Sequence, residues 1–99
     1  AFHLAREYHR RSDWSSLETE LGKIDLGRTW FGRTKRHPEV EFMRADLDIQ
    51  NQQFDTAWTT LDRLDEENPL RAYGLYNLGV AYRATGDLDG ALKTFDTLG

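Results

Sequence analysis

Apolar residues recur along this chain at the three- and four-residue spacing of amphipathic helices. The pattern is clearest in two stretches near the C-terminus, which contain Leu75, Leu78, Gly79 and Tyr82, and then Leu88, Ala91, Leu92, Phe95 and Leu98. Because helical residues three and four apart share one face, each stretch predicts a helix with one buried side. Gly86-Asp87 separates the two stretches, so together they predict a helical hairpin.

This pattern occurs three times. A middle copy consists of Ala45, Phe54, Ala57, Leu61 and Leu64. Each of these residues precedes its counterpart in the last copy by the same number of positions, and these counterparts are Gly79, Leu88, Ala91, Phe95 and Leu98. A first copy consists of Ala5, Trp14, Leu17, Leu21 and Ile24. These residues precede their counterparts in the middle copy by a second, longer offset, which is the distance in sequence from Ala5 to Ala45. We therefore predict one all-α domain over residues 1–99, built from units of about 1–37, 38–71 and 72–99. The extra residues of the first unit fall in 25–37, which predicts a long loop or a helix extension.

Turn and cap residues support these boundaries. Asp13 and Asp87 follow the first helix of their units and can accept hydrogen bonds from the N–H groups that open the next helix. The middle unit has Asn51-Gln52-Gln53 at this place, which predicts a poorer turn. Pro69 follows the last helical turn of the second unit, and Pro38 stands at the start of a helix. Both are positions that tolerate proline.

Small residues mark where the two helices of a unit cross. Ala5, Ala45 and Gly79 hold equivalent positions in the three first helices. Helix axes approach to 8–10 Å only where the side chains at the crossing allow it. We therefore expect close contacts at these three residues, with larger side chains packed beside them.

The third unit resembles the tetratricopeptide repeat, through Leu75, Leu78-Gly79, Tyr82, Gly86, Ala91, Phe95 and Leu98. The middle unit matches less well, because Arg44 and Asp48 stand where Leu and Tyr are usual. The resemblance implies a right-handed α-solenoid of three helical hairpins and a piece of a longer array. The run 73–81 also looks like divergent repeats of large bacterial proteins, many of them associated with the cell envelope.

In that family the first helices of the hairpins line a concave groove that binds a peptide or protein segment. The resemblance implies groove positions at Phe2, Arg6, His9 and Arg10, at Glu39, Phe42, Asp46, Ile49 and Gln50, and at Tyr73, Tyr76, Asn77, Val80 and Arg83. Two interpretations stay open for several of them. Phe42, Tyr73 and Tyr76 either anchor a ligand or pack on a neighbouring unit, and Asn77 either binds a peptide or makes a structural hydrogen bond.

Trp30 and Phe31 form an aromatic pair in a basic segment with glycines nearby. We expect these two rings to pack back on the first hairpin rather than to contact a partner.

Composition excludes several classes of protein. The 99 residues include no cysteine, so the chain has no disulfide and no thiolate metal site. No run approaches the roughly 20 apolar residues of a membrane span, so we expect no membrane insertion by this segment. We expect a soluble domain of the cytoplasm or the periplasm, with the resemblance slightly favouring the envelope.

Charge is distributed unevenly. Residues 1–37 carry eight Lys and Arg against five Asp and Glu, whereas residues 38–99 carry five against twelve. The basic segment Arg28–Arg36 raises the possibility of nucleic-acid binding, which the net charge of −4 makes the least expected of the binding functions. Opposite charges at the two ends also favour head-to-tail association of copies.

No catalytic or metal site is expected. His9, Ser12 and Asp13 supply residue types of a hydrolytic triad, but a turn offers no pocket shielded from water. His3 with Glu7, like His9 with Asp13, provides only two possible metal ligands on one helix face. We expect no enzyme activity and no cofactor.

The sequence therefore predicts a scaffold that binds a peptide or protein segment in the groove. The alternative is a self-assembly module that oligomerises through the open ends of the helical stack. Its basis is the apolar surface that we expect on the last helix, at Leu88, Leu92, Phe95 and Leu98.

Overall fold

The structure, a computed structural model, describes residues 2–30 and 37–98, and the side chains of these except Phe2 and residues 26–30. Its secondary structure in these two ranges consists of six α-helices and no strand. They are α1 (Phe2–Arg10), α2 (Trp14–Trp30), α3 (Pro38–Gln50), α4 (Phe54–Asp62), α5 (Pro69–Ala84) and α6 (Leu88–Leu98). The all-α prediction is confirmed for this part of the chain.

Each odd-numbered helix packs on the helix that follows it, so the chain forms three consecutive helix pairs. Helix α3 also contacts α1, α2 and α5, and α5 contacts α4. Helix α3 is therefore at the centre of the packing, and its environment determines how the first pair and the third pair are joined.

The core has two apolar clusters. The first joins residues of α1, α2 and α3 and includes Ala5, Leu17, Leu21, Val40, Met43 and Leu47. The second joins α3, α4, α5 and α6 and includes Ala45, Ala57, Leu61, Leu75, Leu78, Tyr82 and Ala91. Burial of these side chains is the main favourable contribution to folding, and α3 contributes to both clusters.

The three turns inside the pairs have the same backbone geometry. A left-handed residue ends the first helix of each pair, with φ of 57° at Ser12, 60° at Gln52 and 87° at Gly86. These positions are separated by the same two offsets as the copies of the sequence repeat. In each turn the next N–H donates back into the helix, from Asp13 to the Tyr8 carbonyl, from Gln53 to Asp48 and from Asp87 to Tyr82. This is the hydrogen-bond pattern of a Schellman cap.

Side-chain caps differ between the turns as the sequence predicts. The Ser16 amide donates to Asp13 Oδ1 at 3.3 Å, and the Gly90 amide donates to Asp87 Oδ1 at 2.9 Å. Gln53 makes no such side-chain bond at the start of α4. The predicted caps and the poorer middle turn are therefore confirmed.

Both prolines occupy the first turn of a helix, as predicted for Pro38. Asn68 accepts from the Leu70 amide before Pro69, and His37 Nδ1 accepts from the Glu39 amide before Pro38. These caps satisfy N–H groups that have no partner inside the helix.

The predicted loop or extension after the first unit begins as a helix. Helix α2 continues to Trp30, so residues 25–30 extend it. The prediction that Trp30 and Phe31 pack on the first hairpin concerns side chains outside the part of the chain that the structure describes.

The small residues at the helix crossings are closely surrounded, as predicted. Ala5 and Ala45 are fully buried, and a Cβ placed on Gly79 would lie 2.5 Å from Cε1 of Phe95. The expectation of an apolar surface on α6 is correct for Leu88 and Leu92, which are exposed, and wrong for Phe95 and Leu98. These two side chains pack partly buried against the second core cluster, because Gly79 leaves room for the ring of Phe95.

Substitution of Gly79 tests the close crossing, with Gly22 as a matched control. We expect Gly79→Ala to lower the free energy of unfolding by about 1–2 kcal/mol, because overpacking against Phe95 exceeds the gain in helix propensity. Gly22 lies in α2 with no atom within 4 Å of an added Cβ. Gly22→Ala should therefore raise that free energy by about 0.5–1 kcal/mol. Urea denaturation measures both free energies of unfolding. If the two substitutions stabilised the chain equally, the close approach of Phe95 to Gly79 would be contradicted.

Substitution of the left-handed residues tests the repeated turn. We expect Gln52→Gly to raise the free energy of unfolding by about 0.5–1 kcal/mol, because glycine adopts positive φ without strain. Gly86→Ala should lower it by about 1 kcal/mol for the opposite reason. Thermal melts measure both, and stabilisation by Gly86→Ala would show that the turn differs from the one described.

Candidate functional site

An open groove runs between the C-terminal halves of α3 and α5 and encloses about 480 Å³. Its lining residues are Trp14, Asp46, Ile49, Gln50, Tyr76, Asn77, Val80, Ala81, Arg83 and Ala84. The two helices contact each other directly, and both contribute residues to the second core cluster.

The structure brings together the groove residues that the sequence predicts for the second and third units, except three. Asp46, Ile49, Gln50, Tyr76, Asn77, Val80 and Arg83 all line this space. Glu39, Phe42 and Tyr73 lie earlier on the same helices and do not line it. Of the first-unit candidates, Arg6, His9 and Arg10 lie outside the groove, and the side chain of Phe2 is outside the described part of the chain.

The α5 side of the groove offers accessible polar groups. Tyr76 is 57% exposed, with its ring tilted against Phe95 at a centroid distance of 6.1 Å. The exposed Asn77 amide makes no side-chain hydrogen bond to any described residue. Arg83 is also exposed and forms no ion pair with another described residue. An aromatic ring, an amide and a guanidinium are therefore available to a ligand.

At the other end, Arg6 of α1 binds Glu39 of α3 through two hydrogen bonds. Arg6 Nε donates to Glu39 Oε1 at 2.6 Å, and Nη2 donates to Oε2 at 2.9 Å. The hydrogen bond from Arg6 is the main reason that the pKa of Glu39 is lowered. This two-point contact fixes α1 relative to α3 and engages a side chain predicted to bind a ligand.

Arg10 is engaged within its own helix. Arg10 Nη2 lies 2.6 Å from Glu7 Oε1, and Arg11 Nε lies 2.8 Å from the same oxygen. The hydrogen bond from Arg10 contributes most to the lowered pKa of Glu7. Exposed ion pairs of this kind contribute little to stability, so their main effect is to orient Arg10 along α1.

A second contact between α1 and α3 is half-buried. His9 Nε2 lies 2.6 Å from Asp46 Oδ2, and the side chains of these residues are 24% and 12% exposed. The imidazole ring also makes edge contacts with Trp14 and with Phe42, at centroid distances of 6.1 and 5.6 Å. Asp46 therefore reaches the groove with one side already bound to His9.

The aromatic candidates separate into two kinds. Phe42 is partly buried against the second core cluster and the ring of His9. Tyr73 is 64% exposed, more than Tyr76, although it lies outside the groove. Packing on a neighbouring unit therefore describes Phe42, whereas the two tyrosines present most of their surface to solvent.

Sequence reasoning did not assign three of the lining residues to the groove, namely Ala81, Ala84 and Trp14, and the largest of them is Trp14. Its spacing places it among the large core residues, and it is indeed packed against the first core cluster. The ring nevertheless reaches the groove, because Trp14 is the first residue of α2 and follows directly after the turn. Its size at a helix terminus is the only sequence signal for this position.

The groove presents both hydrogen-bonding and apolar side chains. Within residues 2–30 and 37–98, no three or more His, Asp and Glu side chains are grouped so that they could hold a metal ion. A search of the described helices finds none with the length and apolar character needed to cross a membrane.

Comparison with known proteins does not add to this description. No protein-family model matches the chain, and no curated protein or solved structure matches it.

The pair of Arg6 and Glu39 predicts a pH-dependent stability. Because the folded pKa of Glu39 lies below its unfolded value, the unfolded state takes up more protons as the pH falls. The ion pair therefore stabilises the folded state fully when the pH is above the pKa of Glu39 in the unfolded chain. This stabilisation is lost as the pH falls through the pKa of Glu39 in the folded chain. We expect Glu39→Gln to lower the melting temperature slightly at neutral pH and to have no effect in strong acid.

Comparing the melting temperatures of variants across pH separates the contribution of Glu39 from those of other titrating groups. Asp48 acts in the opposite direction, because burial raises its pKa and the folded state therefore gains stability as the pH falls. Glu66→Gln is the control, since Glu66 lies exposed in the connection between α4 and α5. A deficit of Glu39→Gln that stays constant from neutral to acid pH would contradict an ionic contact.

Proposed function

We propose that this chain is a right-handed α-solenoid of three tetratricopeptide-like hairpins that binds a peptide or protein segment. The repeated turn geometry, the three consecutive helix pairs and the small residues at their crossings all support this architecture. Solenoids of this kind present the first helices of their pairs as one binding surface. The groove between α3 and α5 is such a surface.

The observation that carries the proposal is the set of accessible side chains on α5. Asn77 and Arg83 carry hydrogen-bond donors that no described residue accepts from. Ile49 of α3 and Val80 of α5 add apolar surface to the same groove. This combination suits an extended segment whose backbone meets Asn77, whose apolar side chain covers Ile49 and whose carboxylate meets Arg83.

In this proposal the chain acts by binding alone and has neither catalytic activity nor a cofactor. Protein is favoured over nucleic acid as the partner, because the net charge of the chain is −4 and Arg83 is the single cation among the described residues that line the groove. The carboxylate of Asp46 adds a negative charge to the same surface, which disfavours a polyanion.

Selection from a library of random short peptides tests the proposal. We expect selected peptides to share an acidic residue next to an apolar one, and Arg83→Ala to weaken their binding by about tenfold, as for loss of a charged hydrogen bond. Asn77→Ala should weaken binding by a smaller factor. Isothermal titration calorimetry measures both effects.

Arg63→Ala is the matched control, because Arg63 is exposed immediately after α4 and outside the groove. Binding by this variant should equal that of the unmodified chain. Peptides that bind all of these variants equally would show that the groove is not the binding surface.

A further inference from the structure

Helix α6 exposes two large apolar side chains on its first half. Leu88 is 62% exposed and Leu92 is 63% exposed. They are four residues apart and therefore lie on one face of the helix, next to the carboxylate of Asp89. This face is separate from the groove between α3 and α5.

Helix α4 has a corresponding face, and α5 packs on it. This contact shows which groups can cover such an apolar face within this chain. Phe54 meets Tyr82 edge to face at a centroid distance of 5.0 Å. The Tyr82 hydroxyl donates to Asp55 Oδ1 at 3.4 Å. Leu61 packs where Gly74 lacks a side chain. The contact thus combines apolar packing with a hydroxyl-to-carboxylate hydrogen bond.

Helix α6 repeats residues of α4 at the offset that relates the second unit to the third. The equivalents of Phe54, Asp55, Trp58, Leu61 and Asp62 are Leu88, Asp89, Leu92, Phe95 and Asp96. Each apolar residue is replaced by an apolar one, and both aspartates are retained. The first half of α6 therefore offers Leu88 and Asp89 in the places of Phe54 and Asp55, the residues through which α4 contacts Tyr82 of α5.

Helix α1 carries the matching residues of α5. Tyr8 and Leu4 precede Tyr82 and Leu78 by the sum of the two repeat offsets, so they hold the equivalent positions in the first unit. Leu4 is 44% exposed, and Tyr8 is partly buried. Helix α1 is equivalent to the second half of α5, the part that contacts the start of α4.

Charge favours contact between these two helices. Residues 2–11 carry three arginines and one glutamate, whereas residues 87–98 carry three aspartates and one lysine. Opposite charges speed association and penalise alternative orientations, such as α6 against α6.

We propose that the first half of α6 is a docking site for α1 of a second copy of this chain. Tyr8 of the second copy covers Leu88 and donates its hydroxyl to Asp89, while Leu4 of the second copy covers Leu92. The contact joins two different surfaces, so it extends head to tail and does not close with two copies. It does not depend on peptide binding in the groove, and either proposal can fail without the other.

Analytical ultracentrifugation over a hundredfold range of concentration tests the docking site. We expect the mass of the unmodified chain to rise with concentration beyond that of a dimer. Leu92→Glu should raise the dissociation constant at least about tenfold, because docking would bury a carboxylate without a partner. The control Tyr73→Glu changes an equally exposed side chain outside this face and should assemble normally. An unmodified chain that stays monomeric, or a Leu92→Glu variant that assembles like it, would overturn the proposal.

Mixing two blocked variants separates specific docking from general loss of solubility or folding. Leu4→Glu blocks the α1 surface and Leu92→Glu blocks the α6 surface, so each variant alone should be monomeric. Their mixture retains one intact pair of surfaces and should form a dimer that grows no further. Circular dichroism checks that both variants are folded. If folded variants give a mixture without dimers, α1 and α6 are not the partners.

A double-mutant cycle tests the proposed hydrogen bond. Tyr8→Phe and Asp89→Asn should each weaken assembly by a few-fold, and the double variant should weaken it no more than either one. Additive effects would overturn the assignment of Tyr8 to Asp89.

Discussion

The close crossing of the two helices in each pair is the constraint on which the rest of the structure depends. It requires a small residue on the first helix of each pair, and these residues are Ala5, Ala45 and Gly79. At Gly79 the ring of Phe95 occupies the space that a side chain would need. Because each pair is fixed in this way, its outer faces are determined as well, and these faces build the groove and the contacts between pairs.

Local patterns account for the parts of the fold that could be predicted from sequence. Helical spacing and the caps at Asp13 and Asp87 depend on residues a few positions apart. The contacts between pairs do not: His9 and Asp46 are 37 residues apart, and Arg6 and Glu39 are 33 apart. They depend on how one pair stacks on the next, so the sequence could name these residues as groove candidates but could not show that they bind one another.

The same contact between first helices changes character along the chain. His9 of α1 meets Asp46 of α3, whereas the equivalent residues one unit later, Ile49 of α3 and Val80 of α5, are apolar. The equivalent of His9 on α5 is Arg83, for which no following first helix is described. The first unit thus uses its polar groups to hold the units together. Tyr76, Asn77 and Arg83 of α5, by contrast, stay exposed beside the groove.

The face of α1 that we propose for assembly is separate from the face that contacts α3. Leu4 and Tyr8 are four residues apart and share one face, while Arg6 and His9, three apart, share another and contact α3. A second copy docked through Leu4 and Tyr8 would therefore place its own first helices after α5 and extend the row of first helices across the junction. A ligand long enough to reach both copies would favour assembly, and by thermodynamic linkage assembly would raise the affinity for that ligand by the same factor.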